Sequence, residues 1–187
     1  MGVCFKVSIC LFLASYLLSL SSASKLEDAF RRNNIVPQVL KKSPHSIAKV
    51  EYSAEVTANL GNTLNQEDTE HIPYVTWDAD PTAYYTLIMI DLDEKSAVIP
   101  GGTFLHWLVA NILGNQVTSG DTHADYLHPN PSQTESHRYV QLVYKQSRMK
   151  LGAFFIENDS RIHFSLDSYV KHHNLIGPIA GNFYKVL

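Results

Sequence analysis

The 187-residue sequence has little cysteine, little glycine and no excess of positive charge, and each shortage closes off a class of protein. Two cysteines, Cys4 and Cys10, cannot staple a disulfide-dense scaffold. The nine glycines form neither a G-x-S-x-G nucleophile turn nor a phosphate-cradling loop, so a serine hydrolase and a P-loop or dinucleotide fold find no support. Fifteen basic against eighteen acidic residues give a formal charge of −3, which demands no basic face for nucleic acid. No HExxH-type ligand spacing is present, and no metal or cofactor is expected. At 45% hydrophobic the chain is too apolar to be disordered and has to build a core.

One long apolar run is present, at the start. Lys6 precedes an apolar stretch from Val7 to Leu20, closed by the small side chains of Ser21 and Ala23. Residues 1–23 therefore read as a secretory signal cleaved after Ala23. The stretch is short for a spanning helix and is broken by Ser8, Cys10, Ser15 and Ser19, so no stable membrane anchor is expected. Removing 23 from 187 leaves 164 residues, a single domain over 24–187 with no cysteine and a formal charge of −4 (14 basic, 18 acidic). That length can supply a stable core without disulfides. Such a protein is expected to be secreted, and Asn158-Asp159-Ser160, the only N-x-S/T sequon, makes Asn158 a candidate for glycosylation.

The remaining chain reads as mainly strand. Ser24 as N-cap with Glu27 three residues on predicts a short helix over Lys25 to Asn33. Alternation predicts strands over 47–58, 72–77 and 137–146, and near-continuous apolar runs predict buried strands over 83–92 and 104–113. A second short helix is expected over 165–173 and a closing segment over 178–186, with long irregular stretches at 93–103 and 119–136.

Polar groups at the ends of these strands carry the functional signal. Asp91 closes the most apolar strand and Asp93 follows two residues on, a spacing that places both carboxylates on one strand face. His106 interrupts a second apolar strand, and His137 opens a third, just before Arg138 and Tyr139. Together these describe a small polar pocket of mixed charge.

In order and spacing the pieces resemble the phosphatidylethanolamine-binding protein (PEBP) family. The resemblance runs from about Val36 to Tyr184. It rests on Tyr85-Thr86-Leu87 leading to Asp91-Leu92-Asp93, on Leu105-His106-Trp107-Leu108-Val109-Ala110-Asn111-Ile112, and on Gly114-Asn115, Ser119-Gly120 and Asp125-Tyr126. The decade His137-Arg138-Tyr139-Val140-Gln141-Leu142-Val143-Tyr144-Lys145-Gln146 and the late Pro178-Ile179-Ala180-Gly181-Asn182-Phe183-Tyr184 complete it. The resemblance implies a mainly β, PEBP-like β-sandwich with a large central sheet, a smaller sheet and short peripheral helices. It also implies a non-catalytic pocket for a phosphate-containing or phospholipid head group, lined by Asp91, His106, His137 and Tyr139, with Tyr126 and Pro131 on the rim loop. Asp93, His128 and Asn130 are further rim candidates. A protonated histidine or a histidine N–H can donate to a phosphate oxygen, as can a tyrosine hydroxyl, and affinity is expected to strengthen as pH falls from about 7.5 to 6. The chain departs from the family where Asp91-Leu92-Asp93-Glu94-Lys95 lacks both prolines, where Leu105-His106 replaces a histidine pair, and where His128-Pro129-Asn130-Pro131-Ser132 replaces a glycine-rich rim. The expectation is a secreted carrier, immune factor or signalling modulator. Its alternatives are a protease inhibitor or protein-interaction module acting through surface loops, and a hydrolase using Asp91 and His106.

Overall fold

A computed structural model describes residues 23–94, 102–131, 135–147, 150–152 and 154–187; the expected signal segment lies outside them, apart from Ala23. Helix α1 covers residues 23–32 and already includes Ser24, which therefore does not cap it. Among the described residues nine strands come next: β1 (Ser46–Ile47), β2 (Lys49–Glu51), β3 (Thr63–Leu64), β4 (Tyr74–Thr76), β5 (Tyr84–Asp91), β6 (Phe104–Leu113), β7 (Asp121–Ala124), β8 (His137–Gln146) and β9 (Leu175–Val186). Between β8 and β9 come α2 (Asn158–Arg161) and α3 (Leu166–His172). No helix among the described residues is long and apolar enough to cross a membrane.

Seven strands form one sheet in the order β1-β9-β8-β5-β6-β7, with β3 also on β9; β2 and β4 form a second, antiparallel sheet. The two apolar runs read as buried strands are β5 and β6 at the heart of the large sheet. They need no alternation because both of their faces are covered. On one face Ile88, Ile90, Val140 and Leu142 pack with Leu26 and Phe30 of α1 and Leu166 of α3. On the other, Leu87, Met89, Trp107 and Val143 pack with Val50 and Val75 of the small sheet.

Two segments depart from the sequence reading. The strand expected over 47–58 is broken, because the chain changes sheets at Ala48: β1 pairs with β9 and β2 with β4. A turn then comes in, in which the Ser53 hydroxyl accepts from the Val56 N–H (3.2 Å), and this accounts for the imperfect alternation. Within the stretch read as irregular, Asp121–Ala124 is an edge strand too short and polar to announce itself. Its outer edge is covered where the Ile156 N–H donates to the His123 carbonyl (2.6 Å).

The feature that shapes the site is a β-bulge in β6. Met89 of β5 faces Trp107 and Ile90 faces Leu105, so His106 is an extra residue with no partner on β5. Simple alternation would put His106 on the face opposite Trp107. The bulge re-aims it instead, and its ring meets Tyr139 edge-on at 5.0 Å, on the small-sheet side.

Arg161 holds the bulge. Its buried guanidinium (1% exposed) donates through Nη1 to the carbonyls of Asp125 (2.7 Å), His106 (3.2 Å) and Leu105 (3.4 Å). One cation thus ties α2 to the bulge and to the start of the loop after β7. Replacement Arg161→Met removes the guanidinium from the Asp125 and Leu105 carbonyls, while the His106 carbonyl keeps the Leu127 N–H (2.8 Å), and is expected to cost about 2–3 kcal/mol. Urea unfolding at pH 7 measures the loss, and a change below about 0.5 kcal/mol would show that the clamp is not structural.

Candidate functional site

Asp91 stands at the end of β5, 2% exposed, and the hydrogen bonds around it set the site. Its Oδ2 accepts from His137 Nδ1 on the neighbouring strand β8 (2.7 Å). Its Oδ1 accepts from the Asp93 N–H (2.7 Å), closing a turn as the strand ends. That turn overrides the strand-face expectation for Asp93. The Asp93 carboxylate leaves the pocket and takes Arg138 through Nη2 (2.6 Å), Nε (2.8 Å) and the backbone N–H (2.8 Å). Burial opposes the charge on Asp93, but the Arg138 guanidinium and N–H outweigh it and hold its carboxyl below the usual range. Arg138 also donates to the Asn33 carbonyl, so the 91–94 turn is fixed to β8 and to the residues after α1.

Above Asp91 lies a cavity of about 280 Å³ lined by Asp91, Glu94, Phe104, His106, Leu127, His128, Asn130 and Tyr139. His106 Nδ1 is 2.8 Å from the Leu127 carbonyl, which can only accept, so Nδ1 carries the proton. Burial pushes the His106 pKa below its ordinary value, and the Leu127 carbonyl and Asp91 only partly offset this. At neutral pH the ring is therefore uncharged, with the lone pair on Nε2, 4.0 Å from Asp91 Oδ2. Of the donor forms expected for His106, burial disfavours the charged one, and the Nδ1–H is taken by the Leu127 carbonyl. Tyr139 keeps its hydroxyl proton firmly, through burial first and the nearby Asp91 charge second. The cavity floor is thus rich in acceptors: two carboxylates and an imidazole lone pair.

The predicted residues divide accordingly. Asp91, His106 and Tyr139 line the cavity together with the rim candidates His128 and Asn130. His137 does not line it but hydrogen-bonds Asp91, and its ring lies near-parallel to Tyr139 at 6.4 Å. Tyr126 is not a lining residue of this cavity. Its hydroxyl turns away to the Thr69 carbonyl (2.7 Å) and the Tyr52 hydroxyl (3.1 Å), and its ring belongs to a neighbouring cavity. Pro131 is buried beside the rim without lining the cavity, and Asp93 is spent on Arg138. Asn158 is exposed at the first residue of α2. Sequence reasoning missed Glu94, Phe104 and Leu127 as lining residues, and Arg161 as the clamp. Glu94 alone had a signal, as a third acidic residue in a run of four. One ligand atom from each of Asp91, Glu94 and His137 lies within 4.8 Å of the others, a cluster of cation-binding type. Two of those atoms already share the Asp91–His137 hydrogen bond.

Comparison with known proteins agrees with this architecture. The family model "Phosphatidylethanolamine-binding protein" matches residues 49–184. A "26 kDa secreted antigen" of Toxocara canis is 38% identical over 162 residues, covering 83% of this chain and 62% of the relative, so the chain spans less than two thirds of that protein's length. Among solved structures, carboxypeptidase Y inhibitor complexed with its cognate proteinase superposes with a TM-score of 0.73 at 22% identity, covering 88% of this chain and 95% of the other. A phosphatidylethanolamine-binding protein from Plasmodium vivax gives 0.63 at 19% identity, over 85% and 95%. At these identities the two structures speak for the fold.

A second buried histidine lies at the edge of the large sheet. His123 is 1% exposed, neither ring nitrogen has a hydrogen-bond partner among the described residues, and its ring lies 4.0 Å from that of Phe154. Burial lowers its pKa, opposed by Asp121 and reinforced by His173; burial lowers that of His173 as well. For His106, His123 and His173 the folded protein disfavours the proton that the unfolded chain takes up near pH 6.5. Their contribution to stability is therefore complete above about pH 6.5 and is lost as pH falls below it. Urea midpoints should drop between pH 7.5 and 5.5, and His123→Leu should lose distinctly less over that interval. Equal losses in the two proteins would remove His123 from the account.

Proposed function

This chain belongs to the phosphatidylethanolamine-binding protein family, and from that premise we propose that it is a secreted, non-catalytic binding protein for a small zwitterionic head group of the phosphorylethanolamine type. The observation that carries this reading is the acceptor-rich floor formed by Asp91, Glu94 and the His106 Nε2 lone pair. A bare anion would meet the Asp91 and Glu94 carboxylates at this lining, and the Arg138 guanidinium is held by Asp93. An ammonium group brings donors and a positive charge to a lining that carries two carboxylates and the His106 Nε2 lone pair. The phosphate then faces outward, toward the His128 ring and the Asn130 side chain at the mouth. Asn130 Oδ1 already accepts from Gln66 Nε2 (3.0 Å), which fixes the rim residue in place. Secretion is supported by the apolar leader with its small-residue end and by the secreted relative from Toxocara canis. A binding role also suits the Asp91–His137 pair, whose hydrogen bond orients the floor.

NMR titration tests the reading. Phosphorylethanolamine should shift signals of His106, Tyr139 and Asn130, and should bind at least tenfold more tightly than inorganic phosphate. Glu94→Gln should weaken phosphorylethanolamine about tenfold, as expected for the loss of one charge-assisted contact, and leave phosphate nearly unchanged. No shifts at millimolar ligand, or phosphate binding as tightly as phosphorylethanolamine, would overturn it.

A further inference from the structure

A second cavity, of about 450 Å³, lies next to the polar one on the same side of the large sheet. The bulge places the two side by side: His106 lines the polar cavity and Trp107, the next residue, lines the second. The loop after β7 divides in the same way, Tyr126 belonging to the second cavity and Leu127 to the polar one. Adjacent residues therefore form both dividing walls.

The two interiors differ in chemistry. Trp107, Val109, Val75 and Val117 furnish apolar walls, and Tyr126 packs edge-on against Trp107 at 5.7 Å. The polar groups nearest this interior have their hydrogens directed elsewhere. Tyr126 donates its hydroxyl hydrogen to the Thr69 carbonyl (2.7 Å), with the Tyr52 hydroxyl 3.1 Å away, and the Asn115 amide donates to Thr76 Oγ1 (3.0 Å) and to the Trp77 carbonyl (3.1 Å). Gln116, Thr118, Thr122 and Asp125 also belong to the lining, so a hydrocarbon suits the wall made by Trp107, Val109, Val75 and Val117, with the polar side chains along its other side. At the mouth, Ile72 and Tyr74 are each 63% exposed, large apolar side chains left to water beside an apolar hollow.

We propose that this cavity is a hydrocarbon-chain site, and that one single-chain amphiphile places its chain here and its polar head in the Asp91–His106–Tyr139 pocket across the Trp107–Tyr126 wall. The position of the head rests on the head-group reading; the chain site does not. At roughly 30 Å³ for each water-sized group, 450 Å³ has room for about fifteen such groups, the scale of one alkyl chain and not of two.

The full chain carrying Trp77→Phe, which keeps Trp107 as its only tryptophan, tests this directly. Straight-chain alcohols from 1-octanol to 1-dodecanol should perturb Trp107 fluorescence saturably, with affinity rising about three- to fourfold for each added methylene. Thr122→Phe, on the exposed edge strand β7, fills the cavity from its rim and should weaken 1-dodecanol at least tenfold, with phosphorylethanolamine affinity unchanged. Lauroyl lysophosphatidylethanolamine, below its micellar concentration, should bind more tightly than either half alone. Absence of a saturable Trp107 response, or full 1-dodecanol affinity in Thr122→Phe, would overturn the chain site. A lysolipid no tighter than 1-dodecanol would overturn the shared occupant. If phosphorylethanolamine fails to bind while the alcohols behave as expected, the head-group reading and the shared occupant fall and the chain site stands.

Discussion

The arrangement depends on one buried cation holding one irregular stretch of strand. β6 carries an extra residue opposite β5, and a strand with an unpaired residue in mid-sheet has carbonyls that no neighbouring strand satisfies. Arg161 meets that need with a single guanidinium nitrogen shared among the Leu105, His106 and Asp125 carbonyls. Burial alone would favour losing the charge, and it does lower the Arg161 pKa, but an arginine remains protonated. The consequence is geometric. The bulge turns His106 toward Tyr139 and Asp91, leaves Trp107 beside it, and so lets consecutive residues serve two cavities of opposite character.

Electrostatics then decide what the polar cavity accepts. Two carboxylates, the neutral His106 imidazole and the His128 ring line it, and the arginine nearest in sequence is committed to Asp93 through three hydrogen bonds. Tyr139, whose hydroxyl would be the natural anion donor, sits beside Asp91 and keeps its proton there. Glu94 is what tips the balance, because it adds a second negative charge where the resemblance alone would lead one to expect an anion site.

Much of this was legible in the sequence, and the failures share a cause. β6 and β8 have the bounds that their patterns imply, and β5 and β9 differ by a few residues at their ends. Long, buried strands declare themselves through composition, because both faces demand apolar residues. Asp91, His106 and Tyr139 were identifiable as polar groups at the ends of such strands. A bulge leaves no such mark: Leu105-His106-Trp107 lies in a near-continuous apolar run that does not say which face His106 takes. Arg161 gave no signal in the sequence, because its three acceptors come from residues 36 to 56 positions away. Asp93 was placed by strand periodicity in a pocket that the Asx turn at Asp91 steers it away from. Each error arises where a tertiary hydrogen bond overrides a local period.

The wall between the two cavities is itself built to hold still. Tyr126 donates to the Thr69 carbonyl and its hydroxyl lies 3.1 Å from that of Tyr52, the Tyr52 and Tyr184 hydroxyls meet at 2.6 Å, Tyr184 stacks on Tyr139 at 5.7 Å, and Tyr139 abuts His106. Burial raises the pKa of all four phenols, so the chain of rings stays uncharged across the physiological range. Uncharged, hydrogen-bonded rings packed edge to face give up little further freedom when a ligand arrives, and ordering cost is a large part of what weakens small-molecule binding. Floor, wall and apolar hollow are therefore all formed before any guest enters, and selectivity falls to the few groups that differ between neighbours: Glu94 and the His106 lone pair on one side, Trp107 and its valine partners on the other.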